Sequence, residues 1–114
     1  MSEEQGKRSD RRDYYRITYP RGDEPVLVIA GLHYPIVDLA EGGLKFRISG
    51  SLPLFKGGAL KASIIFHDDQ VVEVAGKMIR KGLRYVVVHL EQGIPLKKIM
   101  EEQRFLLKKH KVLL

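Results

Sequence analysis

The sequence predicts an all-β body closed by one C-terminal helix. Three observations carry this expectation: six or seven short apolar runs, Gly and Pro turns between them, and a change from strand to helical periodicity near residue 95. A chain of 114 residues supports one domain. Short strands in this number favour a small barrel or sandwich with few open edges. A barrel of that size fills its interior with side chains, so any ligand is expected on the outside.

Residues 1–13 are polar and aperiodic, and they read as a flexible arm ahead of a body over 14–114. "YYRITYP" alternates as a strand and "RGDEP" turns the chain. "VLVIA" is apolar throughout and suits a strand buried on both faces, ended by Gly31. "HYPIVDL" leads to the break "AEGG", with Asp38 at the strand's end. "GLKFRIS" is the plainest half-buried strand, since Leu44, Phe46 and Ile48 alternate with Lys45 and Arg47. In "GSLPLFKGG", Pro53, Gly57 and Gly58 forbid one regular element. "ALKASIIF" and "VVEVAGKMI" form a hairpin about His67, Asp68 and Asp69, with Gly76 marking a bulge or close backbone approach. "KG" then turns the chain into "LRYVVVHL". A helix over about 95–109 starts at Pro95, places Leu96, Ile99, Met100, Gln103, Leu106 and Leu107 on one face, and carries lysines in its last turn.

Composition narrows the function classes. With no cysteine there is no disulfide framework, thiolate zinc site or nucleophilic thiol. No apolar run reaches the span of a bilayer and the opening residues lack a secretory pattern, so a cytoplasmic protein without membrane insertion is expected. The net charge of +6 favours anionic partners. Its surplus sits near the C-terminus, whereas the first 24 residues are locally neutral. The four histidines lack metal-site spacing: His89 reads as a core or half-exposed ring, His67 as a turn residue and His110 as part of a frayed tail. Asp68 and Asp69 are adjacent on a tight turn and point apart. No nucleotide-hydrolase loop, nucleophile elbow or dinucleotide glycine run occurs, and no enzyme is predicted.

Two stretches remain. In "RRDYYR", Arg12 and Arg16 are four positions apart beside the first strand, and Arg11 is an extra donor. The guanidinium fork donates paired hydrogen bonds to phosphate and can stack on a base. In "DLAEGG", Asp38 is a carboxylate acceptor suited to the N1–H and N2–H₂ donors of guanine. Gly42 and Gly43 allow a sharp, closely approached bend. An anion clamp beside a guanine acceptor points to a guanine nucleotide.

Arg12 and Arg16 match RxxxR, and Asp38, Ala40 and Gly43 match [D/N]xSxxG except at the serine. With these motifs, residues 8–107 resemble a PilZ domain, the bacterial receptor module for cyclic di-GMP. The resemblance implies a six-stranded antiparallel barrel whose arginine arm wraps the ligand while the second motif holds a guanine on the outer wall. It implies ligand contacts from Arg12, Arg16, Asp38, Ala40 and Gly43, with Arg11 and Gly42 assisting, and a role in second-messenger control of biofilm and motility. Arg8 and Arg12 share the same spacing, but Arg12 and Arg16 abut the strand. Ala40 lacks a hydroxyl whose neutral hydrogen bond is worth about 1 kcal/mol, roughly a fivefold loss of affinity.

Two other classes stand beside the receptor. An adaptor in pilus or motility machinery would use the same fold without tight ligand binding. A nucleic-acid module is disfavoured, because the bases are dispersed. A receptor without an output element of its own must signal to an unidentified effector protein, for which the basic helix face is the expected contact.

Overall fold

The computed structural model describes residues 16–49 and 58–110. Among the described residues seven strands form the body: β1 Ile17–Thr18, β2 Val26–Ile29, β3 Leu32–Ala40, β4 Gly43–Arg47, β5 Ala59–Ile65, β6 Val71–Lys81 and β7 Tyr85–Gln92, followed by helix α1, Leu96–Lys109. Strands run β3–β2–β5–β6–β7–β4, and a β3–β4 pairing closes the ring. Every pairing is antiparallel, so the body is a closed six-stranded barrel with β1 added outside on β3. Arg8, Arg11, Arg12 and the predicted irregular stretch at 50–57 lie outside the described residues.

The turns follow local chemistry. Ile29 pairs with Leu32 across a two-residue loop in which Ala30 and Gly31 have φ of 51° and 79°. Both values are left-handed, as a type I′ hairpin needs. Gly31 takes this at no steric cost, whereas a left-handed alanine costs about 1 kcal/mol. Ala30→Asn, which restores the favoured Asn-Gly pair, is expected to raise stability by ~0.5–1 kcal/mol, read as a higher urea midpoint at unchanged slope. The β5–β6 hairpin turns through His67–Asp69: Asp69 N–H donates to Phe66 O, Asp69 is left-handed at φ 66°, and Asp68 Oδ1 accepts from Gln70 N–H. Aspartate tolerates both positions.

Alternation fills the barrel. Leu27, Ile36, Leu39, Phe46, Ile64, Val86 and Val88 are fully buried, and Ile99 of α1 joins them. Contrary to expectation, β2 is half-buried by alternation and not buried on both faces. In β3 the rhythm breaks: Ile36 opposes Phe46 but Asp38 opposes Lys45, leaving Val37 as an extra residue. A bulge of this kind shifts the phase of the pleat. It turns both Val37 and Asp38 off the core and returns Leu39 to it. The bulge thereby decides which way Asp38 faces.

The helix occupies the predicted range, and Ile99 and Leu106 of the predicted face pack on the core, but the inward face is rotated toward Lys98 and Glu102. Met100 and Leu107 are exposed, while Lys98, Ile99 and Glu102 are buried. The barrel end supplies polar partners, so the helix settles with Glu102 inward. Tyr19 Oη donates to Glu102 Oε1 at 2.6 Å. His67 Nδ1 approaches Oε2 at 2.9 Å but outside hydrogen-bond geometry, which leaves that oxygen without a hydrogen-bond partner. Burial first, then the Glu102 hydrogen bond and charge, push the Tyr19 phenol far above its ordinary range. The Lys98 ammonium stands 4.5 Å from the Phe66 ring centroid and reaches Asp68 at 3.0 Å.

The last turn is also fastened, which corrects the frayed reading of His110. Its Nε2 lies 2.8 Å from Asp23 Oδ2, and Lys109 pairs with Oδ1 of the same carboxylate. Hydrogen bonds from Lys109 and His110 hold the Asp23 carboxyl below the usual range, against an opposing desolvation effect. A depressed carboxyl contributes stability above its unfolded value, lost as pH falls through the folded value. Urea midpoints should therefore drop below about pH 4. Asp23→Asn should be less stable at neutral pH and show a flatter acid limb.

Candidate functional site

β1 is shorter than predicted, yet its two residues position the site. Ile17 pairs with Leu39 and Thr18 with Asp38, while Tyr19 N–H donates 2.8 Å to the carbonyl of the bulged Val37. This pairing sets Arg16, the residue before β1, beside the end of β3. Its Nη2 meets Asp38 Oδ2 at 3.1 Å, and Lys45 Nζ lies 3.7 Å from the same oxygen. The last arginine of the arm and the carboxylate of the bend, 22 residues apart, are thus partners.

They stand at an outer-wall groove of about 360 Å³ that Ala40, Gly42, Gly43, Arg80 and His89 also line. Arg16 and Lys45 flank the Asp38 carboxylate and Arg80 lines the same groove, so the lining carries surplus positive charge. More than half of the Arg16 side chain remains exposed. An anionic group entering the groove therefore finds guanidinium donors without displacing a buried ion pair.

The bend is a two-residue link between Ala40 and its partner Gly43. Neither Gly42 nor Gly43 is among the residues with positive φ, so the tight link does not rest on glycine's left-handed freedom. Gly43 answers a close approach instead, since a Cβ there would stand 3.3 Å from Val88 O. A Cβ on Gly42, which lines the groove, would meet nothing within 4 Å. The bend is tied down by β7 and its extension: Leu90 N–H donates to Gly42 O at 2.9 Å and Ile94 N–H to Glu41 O at 3.0 Å. Gly93 permits that tie, because a Cβ on it would fall 2.0 Å from Glu41 O.

Neither a family model nor a curated protein matches the sequence. Among solved structures, an uncharacterized protein of Legionella is similar, with a TM-score of 0.56 and 19% sequence identity over 84% of this chain and 97% of that one. The likeness is one of fold.

Of the predicted site residues, Arg16, Asp38, Ala40, Gly42 and Gly43 are brought together at one groove. Arg11 and Arg12 lie outside the described residues. Lys45, Arg80, His89 and Gly93 were not anticipated. Lys45 was legible as an outward residue of an alternating strand. His89 is exposed, because β7 sends Val86, Val88 and Leu90 inward and so turns position 89 out. Arg80 reaches the groove only through the β6–β7 and β7–β4 pairings, and Gly93 matters only through a neighbour 52 positions away; neither leaves a local signal.

Proposed function

We propose that this chain is a PilZ-type receptor domain for cyclic di-GMP. The observation that carries the reading is the 3.1 Å meeting of Arg16 with Asp38 at the mouth of an outer-wall groove. Arginine of the first motif and aspartate of the second are the two groups that a guanine nucleotide with a phosphodiester needs from opposite sides. Arg16, Lys45 and Arg80 supply charge for the phosphates, and Asp38 accepts from the guanine edge. Gly42, where a Cβ would meet open space, leaves room for the base against the backbone. Arg11 and Arg12 precede Arg16 by a few residues and complete the clamp when the arm closes, and that closure is the signal offered to an effector protein. The domain binds and does not catalyse.

Calorimetric titration of the purified protein with cyclic di-GMP tests this. Low-micromolar binding is expected, weakened far more by Arg12→Ala or Arg16→Ala than by Arg8→Ala. Absence of heat at high ligand concentration would favour the adaptor reading, toward which the missing hydroxyl at Ala40 points. Ala40 lines the groove. Ala40→Ser is accordingly expected to tighten binding roughly fivefold by adding one neutral hydrogen bond. An unchanged constant would place position 40 outside the contact shell.

A further inference from the structure

The hairpin joining β6 and β7 ends in a tight turn where Gly82 N–H donates to Tyr85 O at 2.8 Å. Leu83 stands at its tip, 97% exposed. Ile79 falls between the paired residues Met78 and Arg80, at a register shift, and this bulge leaves it 65% exposed. Tyr85 is exposed as well, with Lys45 Nζ 5.0 Å from its ring centroid. Between Glu73 and Glu91 the chain carries Lys77, Arg80, Lys81 and Arg84 and no acid. The tip therefore presents exposed aliphatic side chains flanked along the chain by bases alone, with Lys45 beside Tyr85.

We infer that this hairpin tip seats the protein on an anionic phospholipid surface. Basic side chains near such a surface are each attracted to the headgroups, and an apolar side chain ahead of them enters the headgroup and acyl boundary. Nucleic acid would use the four bases but give nothing to Leu83. An acidic protein face needs a broad, complementary patch, about 800 Å² on each side of a stable contact, which a projecting turn does not offer. The contact is peripheral: among the described residues no helix is long and apolar enough to cross a membrane. It overlaps the groove at Ile79 and Arg80, whereas Lys81, Leu83, Arg84 and Tyr85 do not line it, so variants at those positions test the tip apart from the cyclic di-GMP reading.

Sedimentation of the whole chain with vesicles, in the absence of nucleotide, tests the inference. Binding is expected to vesicles of equal parts phosphatidylcholine and phosphatidylglycerol, not to pure phosphatidylcholine, and molar salt should release it. Each base contributes roughly fivefold, so Lys81→Glu with Arg84→Glu should lower partitioning more than tenfold. Leu83→Ser should lower it several-fold without a change in charge. Leu107→Ser, on the exposed side of α1, should leave it unchanged. All three are surface changes whose folding is checked by circular dichroism. No binding to anionic vesicles, equal binding to both kinds, or equal losses at Leu83 and Leu107 would overturn the inference. Self-association lost with Leu83→Ser, in place of vesicle binding, would overturn it in favour of a second copy of the chain.

Discussion

Gly93→Ala is expected to lower stability by about 3 kcal/mol, although the change adds a single methyl. The methyl would stand 2.0 Å from Glu41 O, 3.1 Å from its carbonyl carbon and 3.8 Å from Gly42 Cα. These are backbone atoms of a two-residue bend and cannot swing aside as a flexible side chain does. Relief requires the bend to move, which breaks the Ile94 N–H bond to Glu41 O and disturbs the Leu90 N–H bond to Gly42 O. Gly76→Ala faces the same obstacle, with His89 O at 2.1 Å, and should be destabilised comparably. Gly42→Ala meets open space and should stay within ~0.5 kcal/mol of the parent. Urea midpoints of the three variants decide the matter. Were Gly93→Ala as stable as Gly42→Ala, the close approach would be wrong.

The barrel was legible because its signals are local. Leu44, Phe46 and Ile48 alternate with Lys45 and Arg47, the Asp-rich turn after Phe66 is a hairpin turn by its chemistry, and Gly76 sits at a register shift, as an isolated strand glycine implies. What was not legible depends on phase and on distant partners. A regular alternation from Ile36 would bury Asp38; the bulge at Val37 decides otherwise, and no residue type there announces it. The face of α1 was read correctly at Ile99 and Leu106 and wrongly at Met100 and Leu107, for a related reason. Helical periodicity weighs Met100 and Leu107 above Glu102, but the barrel end offers a Tyr19 hydroxyl at 2.6 Å that no amphipathic pattern records. The site divides in the same way: the two motifs are contiguous strings and Lys45 faces Asp38 across the adjacent β3–β4 hairpin, whereas Arg80 joins them only through the β6–β7 and β7–β4 pairings.

Asp38→Ala is expected to lower affinity for cyclic di-GMP by about 10-fold to 150-fold, the worth of hydrogen bonds to a charged acceptor. Stability should hardly change, since the Asp38 pair with a largely exposed Arg16 contributes at most about 1 kcal/mol. The sign of the binding effect is more informative than its size. In the free protein Asp38 neutralises part of the charge of Arg16 and Lys45. Its removal makes the groove more positive, so a ligand held only through its phosphates would bind more tightly to Asp38→Ala. A ligand whose guanine donates N1–H and N2–H₂ to this carboxylate would bind more weakly. Calorimetry with cyclic di-GMP and with cyclic di-AMP, whose base lacks those donors, separates the two. Weaker binding of the guanine ligand together with equal or tighter binding of the adenine ligand would establish Asp38 as the base reader. Tighter binding of both would reduce the groove to an anion site.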